Sequence, residues 1–406
     1  MRTENRLNRR AFLARGGALG CSIAAAPLIS PIALAAAPGD KRLVVIILRG
    51  AMDGLDVVRP VGDPAFAALR PTLAGGADPL PLDGFFALHP ALKDLHSLWA
   101  SGELGFAHAV STPYRDKRSH FDGQDILETG AAGVGGRDGW LNRALGQMEG
   151  TSFRTGFAVG REALLILAGE APISHWAPDA ALALTPQSRR LLARMYREAP
   201  LFKASMDEAI ALTETLNEDA MIQDYDEAQQ VMMTSVRNIG RRGGAEKIAR
   251  FTAQQLLGET RIASFSINGW DTHAAQKRDL ARALGELQSA ILTLKQDLGT
   301  VWRDTAVLAM TEFGRTAHEN GTGGTDHGTG GALILAGGAI SGGKMYGAWP
   351  GLGELDLYQG RDLMPTSDLR AFAATALAGL FDLGENALET RVFPGLDIRD
   401  AARIIA

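Results

Sequence analysis

The sequence predicts an α/β protein built on a doubly wound sheet, with helices on both faces and a helical insertion. Three observations lead there. Short uninterrupted apolar runs of strand length alternate with stretches of helical spacing, as strands buried on both faces between covering helices require. A segment from about Pro186 to Leu257 reads as helix with no strand signal inside it. Acidic and imidazole side chains gather a few residues from the apolar runs, where the carboxyl ends of parallel strands form a ligand crevice.

The chain of 406 residues, 46% hydrophobic and 21% charged, is long enough for one large α/β core plus additions. At its start, Asn8, Arg9, Arg10, Ala11, Phe12 and Leu13 precede a weakly apolar, uncharged stretch from Gly16 to Ala37. A twin-arginine pair followed by such a segment reads as a Tat export signal over residues 1–37. Ala33 and Ala35 supply the small-x-small pattern for cleavage after Ala35, and residues 38–406 form the expected main domain. The expected partner during export is the Tat translocase, and the expected location is periplasmic or secreted.

Cleavage there removes five arginines and one glutamate, which moves the formal charge from -5 to -9. An acidic surface argues against nucleic acid as a partner. The single cysteine, Cys21, lies inside the signal, so the exported chain would use no thiolate, disulfide or iron-sulfur cluster. No later stretch approaches the roughly 20 apolar residues of a membrane span.

Leu43 to Leu48 is apolar and rich in β-branched residues, and reads as the first, central strand. Leu88 to Ala100 has helical spacing through Leu92, Leu95, Leu98 and Trp99, and Leu104 to Val110 reads as the next strand. Helices are expected over Arg189 to Glu198, Ala204 to Leu216 and Glu246 to Leu257, packed on the sheet as a cap or an elaborated crossover. Ile262 to Ile267, Ala306 to Met310 and Gly331 to Gly338 complete the strands, with an amphipathic helix over Asp279 to Leu298. Ser367, after Pro365, is expected to cap a final helix through Phe381. No GxGxxG opens a helix after a strand and no GK[ST] occurs in the glycine clusters, so nucleotide cofactors are not expected.

Four segments carry chemistry. Asp53 follows the first strand beside Gly50 and Gly54, as a close-approaching cation ligand or as an Asx turn or cap. Asp271 and His273 follow Ile262 to Ile267 with Trp270 beside them; a carboxylate and an imidazole two residues apart suit one ion of Zn, Mn or Fe better than Ca, and otherwise make a cap and a surface histidine. Glu312 and Arg315 follow Ala306 to Met310, as a ligand with an anion-binding guanidinium or as a simple ion pair. Asp326 and His327 lie among glycines just before the last strand, where core packing gives them no reason to be.

Ser111 to His120 adds Arg115, Arg118, Ser119 and His120 at a helix start. There a hydroxyl is either a nucleophile beside an anion site or merely the helix cap. His89, His96, His108 and His175 lack ligand-like neighbours and read as structural.

These motifs resemble a known family. LRGAMDGLD at Leu48 to Asp56, RSHFDGQDILETG at Arg118 to Gly130, NGWDTH at Asn268 to His273, TEFGRT at Thr311 to Thr316, GTDHGTGG at Gly324 to Gly331 and SDLRA at Ser367 to Ala371, with the Tat signal, resemble the DUF1501 family. It is a group of exported bacterial proteins of uncharacterised function that looks like a branch of the alkaline phosphatase and sulfatase superfamily. The resemblance implies an alkaline-phosphatase-like sheet with a divalent metal, Zn, Mn, Mg or Ca, at the strand ends. Asp53, Asp271, His273, Glu312 and His327 take the places of ligands, with Asp326 and His120 as further members. Ser119 resembles the nucleophile, and Arg118 and Arg315 would offset the charge of the transferred group.

Two departures qualify it. The superfamily's late Asp-His doublet reads Glu312-Phe313, so one imidazole is absent unless His120 or Asp326 substitutes. The Asp-x-x-x-His spacing has become Asp271-x-His273. The function expected is an exported metal-dependent hydrolase of small anionic phosphate or sulfate esters. The alternative is a non-catalytic exported relative that keeps an ion and binds a partner protein or polysaccharide.

Overall fold

Burial along the first strand, β1 (Arg42–Arg49), explains the architecture: every residue but the last is buried. Val44, Ile46 and Leu48 enter one core, and Leu43, Val45 and Ile47 enter another. Such a strand must lie inside a sheet covered on both sides. A computed structural model describes residues 39–406 except 77, 116, 134–135, 161–163 and 177–242. The expected signal over 1–37 and the expected helices over 189–198 and 204–216 lie outside the described residues.

The main sheet has nine strands: β1, β2 (Leu104–Ser111), β3 (Gly156–Val159), β4 (Ser174–Trp176), β5 (Ile262–Asn268), β6 (Thr305–Met310), β7 (Gly331–Ala336), β8 (Met345–Tyr346) and β9 (Ser367–Asp368). Their order is β8-β2-β7-β6-β1-β5-β3-β4, with β9 also paired to β2. β1 runs parallel to both β5 and β6, in a register that sets Arg49 beside Asn268 and Ile47 beside Met310. The carboxyl ends of these three central strands are therefore level. β7 alone among the described strands of this sheet runs against its neighbours, β2 and β6. Its amino end consequently faces the same crevice.

Helices cover both faces, which makes the fold mixed α/β and doubly wound. On one face α2 (Gly244–Leu257) and α3 (Gln276–Leu298) bury Ala249, Leu256, Leu284, Leu287 and Ile291 against Val44 and Ile46. On the other, α1 (His120–Thr129) contributes Leu127, and α4 (Leu369–Phe381) contributes Phe372, Ala373 and Leu377. Truncating a buried leucine such as Leu284 to alanine costs about 2–5 kcal/mol.

The five strands that the apolar runs predict, β1, β2, β5, β6 and β7, fall within two residues of their expected ends, whereas β3, β4, β8 and β9 lie outside those runs. Three elements differ. The helix expected over Leu88 to Ala100 is a 3-10 turn, Pro90–Leu95, followed by a short helix, His96–Ala100, with a kink at Leu92. Ala87–Leu88 instead pairs in a small three-stranded sheet with Val58–Arg59 and Leu80–Pro81. Ser367 does not cap α4, because it pairs with Val110 in β9; Asp368 is the cap and accepts from Arg370 N at 2.9 Å. α3 starts at Gln276, before Asp279, since the Gln276 side chain is drawn into a buried polar network.

His89, His96, His108 and His175 each bond to a backbone group: Ala91 N, Pro81 O, Val58 O and Gly160 O. No described helix is long and apolar enough to cross a membrane.

Candidate metal centre

Three loops leave the level ends of β1, β5 and β6, and a fourth enters β7 from the same side. Glycines let them touch. At Gly50, with φ +121°, a Cβ would stand 2.6 Å from Asp271 N, so the first loop lies directly on the second. At Gly314 a Cβ would be 1.9 Å from Gly330 O, and at Gly324 it would be 2.4 Å from the His273 carbonyl oxygen. The glycine-rich loop thus lies backbone to backbone on the loops that precede it.

Each imidazole in the crevice is fixed from behind. His120, the first residue of α1, places Nδ1 at 2.8 Å from Glu312 Oε1. His273 Nδ1 stands 3.2 Å from Asp326 Oδ1, and His327 Nδ1 stands 3.0 Å from the Arg118 carbonyl oxygen. Carbonyl and ionised carboxylate oxygens only accept, so each Nδ1 carries the proton. The three Nε2 atoms are left facing Asp271: His120 Nε2 is 3.4 Å from its Oδ2, and His273 and His327 are 3.1 Å and 3.3 Å from its Oδ1.

Electrostatics support that arrangement. The hydrogen bond to Glu312 raises the His120 pKa above its ordinary value, against the effect of burial. Burial lowers the His327 imidazole, and Arg315 and His120 add to the effect. Burial alone would push the Asp271 carboxyl up, but Arg315 and the imidazoles outweigh it and hold it below the usual carboxylate range. Glu312 is likewise held down despite burial by bonds from His120, Gln124 and Gly50 N. The Asp326 carboxyl is lowered first by Asn320 and then by His273.

The residues singled out in the sequence take different places. Asp271, His273, His327 and His120 meet in the crevice. Glu312, fully buried, and Asp326 stand on the far side of two of the rings. Asp53 is also fully buried, and its Oδ2 is engaged by Arg70 Nη1 and Gln276 Nε2, each at 2.6 Å. Its Oδ1 is buried with no hydrogen-bond partner among the described residues.

Arg315 donates to Ala51 O, Thr325 O, Trp270 O and, at 2.7 Å, Asp271 Oδ1. With no side-chain exposure, it ties all four loops together. Ser119 is the α1 cap, and its Oγ accepts from Asp122 N at 3.4 Å. It sits in the chain between the Arg118 carbonyl and the His120 ring, both of which belong to the cluster. The Arg118 side chain is part-exposed and lies 3.8 Å from Asp362.

Phe313 packs its ring on His120, 5.3 Å between centroids, and on Tyr114 and His327, which makes one dry wall of the crevice. His120 arrives from α1 beside Phe313. Sequence reasoning did not find Arg70, Gln276, Gln124 or Thr311, the residues that hold Asp53 and Glu312. Nothing local marks them, because each reaches its partner through the fold.

The donor set fits a divalent ion. Ligand atoms of His120, Asp271 and His327 lie within 4.8 Å of one another, and His120 Nε2 is buried without a hydrogen-bond partner among the described residues. Rings held by a carboxylate or carbonyl at Nδ1, with Nε2 turned to a common point, are the usual outer-shell arrangement of metal-binding histidines. The fold and the cluster together define an α/β protein with a candidate metal centre at its strand ends.

The chain belongs to the DUF1501 family, described as a protein of unknown function, whose model matches residues 99–392. No curated protein matches it. Among solved structures it is similar to alkaline phosphatase from the Antarctic bacterium TAB5, at 9% identity over 73% of this chain and 90% of that one, with a TM-score of 0.32. It is also similar to Ps i-CgsB in complex with k-i-k-neocarrahexaose, at 12% identity over 86% and 74% of the two chains, with a TM-score of 0.37. A third is the lipoteichoic acid synthase LtaP from Listeria monocytogenes, at 10% identity and a TM-score of 0.30; the match covers 69% of this chain and 58% of that one.

Proposed function

We propose that this chain is an exported, metal-dependent hydrolase of phosphate or sulfate esters. The observation that carries it is the convergence of three imidazole Nε2 atoms on Asp271 in a crevice that stays open to solvent, with the Asp271 side chain 46% exposed. The motif resemblance to the alkaline phosphatase and sulfatase superfamily supports the choice of substrate.

His120, His327 and Asp271 would hold the ion, which supplies Lewis acidity toward an ester oxygen and lowers the pKa of a bound hydroxyl. Ser119, at the amino end of α1, would be the nucleophile, with the helix dipole favouring the negative charge it develops. Arg118, whose side chain is part-exposed, is available to an anionic substrate. Arg315 acts on Asp271 and the loops, since its donors are already engaged. Phe313 excludes water from one side of His120.

Export belongs to the same proposal and rests on Arg9 and Arg10 with the apolar stretch after them. Replacing both by lysine should leave the chain in the cytoplasm on cell fractionation.

The activity is tested with phosphate and sulfate esters, wild type against Ser119→Ala, with and without chelator. Expected are turnover that chelator abolishes and a fall in kcat of about a thousandfold or more in the variant. Equal turnover in both proteins would remove Ser119 from the mechanism. A second reading, an exported metal-binding relative without catalysis, draws on Ser119 already serving as the α1 cap and on Phe313 standing where an imidazole is absent. Bound metal with no turnover of any ester would favour it.

A further inference from the structure

Ser119 carries two polar groups that the fold holds unequally. Its hydroxyl accepts from Asp122 N at 3.4 Å, longer than the roughly 2.7–3.2 Å usual for an N–H to oxygen bond. Its backbone N–H donates to Tyr114 Oη at 2.6 Å. Gly123 N donates to the Ser119 carbonyl oxygen at 2.9 Å, so the start of α1 is held by main chain more firmly than by the cap side chain.

The Ser119 N–H belongs to the same planar peptide unit as the Arg118 carbonyl, which accepts from His327 Nδ1 at 3.0 Å. One peptide unit is therefore gripped at both ends, by Tyr114 at nitrogen and by His327 at oxygen. The chain turns into it at Arg118, whose φ of +53° lies in the left-handed region that a side chain disfavours. Such a conformation persists where its surroundings hold it. Tyr114 is itself well anchored: it is buried, its ring stacks on Phe313 at 5.8 Å between centroids, and its carbonyl oxygen accepts from Arg115 Nη1 at 2.7 Å.

We infer that Tyr114 is a positioning residue: by holding the Arg118–Ser119 peptide unit it fixes the main chain of the nucleophile and the acceptor of the His327 ring together, and leaves the Ser119 hydroxyl free to quit the helix cap. The inference rests on the reading of Ser119 as nucleophile above and adds the residue that holds it. A nucleophile that also caps a helix must give up the cap when it turns to substrate. The N–H groups at the helix start are then orphaned, and the first turn frays unless something else holds it. Here the backbone bond to Tyr114 does so, and His120, next in the chain, keeps its place as the hydroxyl moves. Tyr114 acts through Ser119 and His327 rather than on the ester.

The test compares Tyr114→Phe, which removes the phenolic oxygen and keeps the ring on Phe313, with Ser119→Ala. Amide hydrogen exchange at residue 119, followed by NMR in the chelator-stripped chain, reads the grip directly. Expected in Tyr114→Phe is exchange about tenfold faster at that amide, as the loss of one hydrogen bond allows, with a melting temperature close to wild type. In Ser119→Ala the same amide should exchange at close to the wild-type rate, because the hydroxyl is not what holds it.

With phosphate and sulfate esters, Tyr114→Phe should lower kcat by about ten- to a hundredfold at unchanged KM, since a misplaced nucleophile is felt in the transition state and not in binding. Unchanged exchange in Tyr114→Phe, tenfold faster exchange in Ser119→Ala, or a wild-type kcat in Tyr114→Phe overturns the inference. A chain that turns over no ester defeats the hydrolase reading instead. Faster exchange in Tyr114→Phe would then still support the hold on the peptide unit, and unchanged exchange would overturn it.

Discussion

His120 Nδ1 is joined to Glu312 Oε1 at 2.8 Å across 192 residues of chain. Glu312 is itself held by Gly50 N at 2.9 Å, Gln124 Nε2 at 3.2 Å and Thr311 Oγ1 at 3.0 Å, so the ring is aimed by a carboxylate that cannot turn. The pair links the start of α1 to the end of β6 and the loop after β1. It therefore couples the aim of one candidate ligand to the packing of the whole crevice.

Glu312→Gln tests that coupling. The amide keeps the volume but loses the charge that His120 faces, so Zn affinity should fall by about 10–100-fold. Competition with a chromophoric chelator measures it, and an affinity equal to wild type would count against the orienting role.

Arg315→Lys should destabilise the protein by about 3 kcal/mol or more, because a buried charge is left with fewer partners. An ammonium cannot reach Ala51 O, Trp270 O, Thr325 O and Asp271 Oδ1 together, as the guanidinium does. Urea unfolding with chelator present separates this loss from any loss of metal.

Asp53→Ala removes the partner of Arg70, whose guanidinium has no exposure and also donates to the carbonyls of Ala317 and Thr316. A cost of about 3–5 kcal/mol is expected for breaking such a buried pair. The same cost should appear in Zn and in chelator. A cost seen only with Zn would instead make Asp53 a ligand, through the Oδ1 that lacks a hydrogen-bond partner among the described residues.

His108 predicts an acid-labile step outside the crevice. Burial pushes its pKa down from 6.5 to about 4, so it stays neutral in the fold while the unfolded chain takes up a proton near 6.5. Stability from this group is full above about pH 6.5 and falls as pH drops toward 4, by about 3 kcal/mol in all. Denaturant titrations across that window measure the slope, which should flatten in His108→Gln. An equal slope in the variant would assign the acid lability elsewhere.

The strands were legible because their apolar runs need no context: a stretch such as Leu43 to Leu48 buries both faces wherever it lies in a parallel sheet. Asp271, His273 and His327 stand out in the sequence because polar side chains beside glycines at strand ends have no packing role, and the structure brings the three to one crevice. The jobs of Glu312 and Asp53 were not legible. Both are carboxylates after a strand, and only their neighbours separate them: His120 and Gln124 for one, Arg70 and Gln276 for the other.

The sequence by itself determined the α/β class, the positions of the five long strands and the short list of chemical side chains, because hydrophobic period and residue type are local properties. The tertiary structure decided the direction of β7, and with it the arrival of His327 at the same crevice as Asp271. It also decided which carboxylates face the rings from behind and which side of each imidazole is free. Those choices depend on hydrogen bonds between residues far apart in the chain, and no local pattern encodes them.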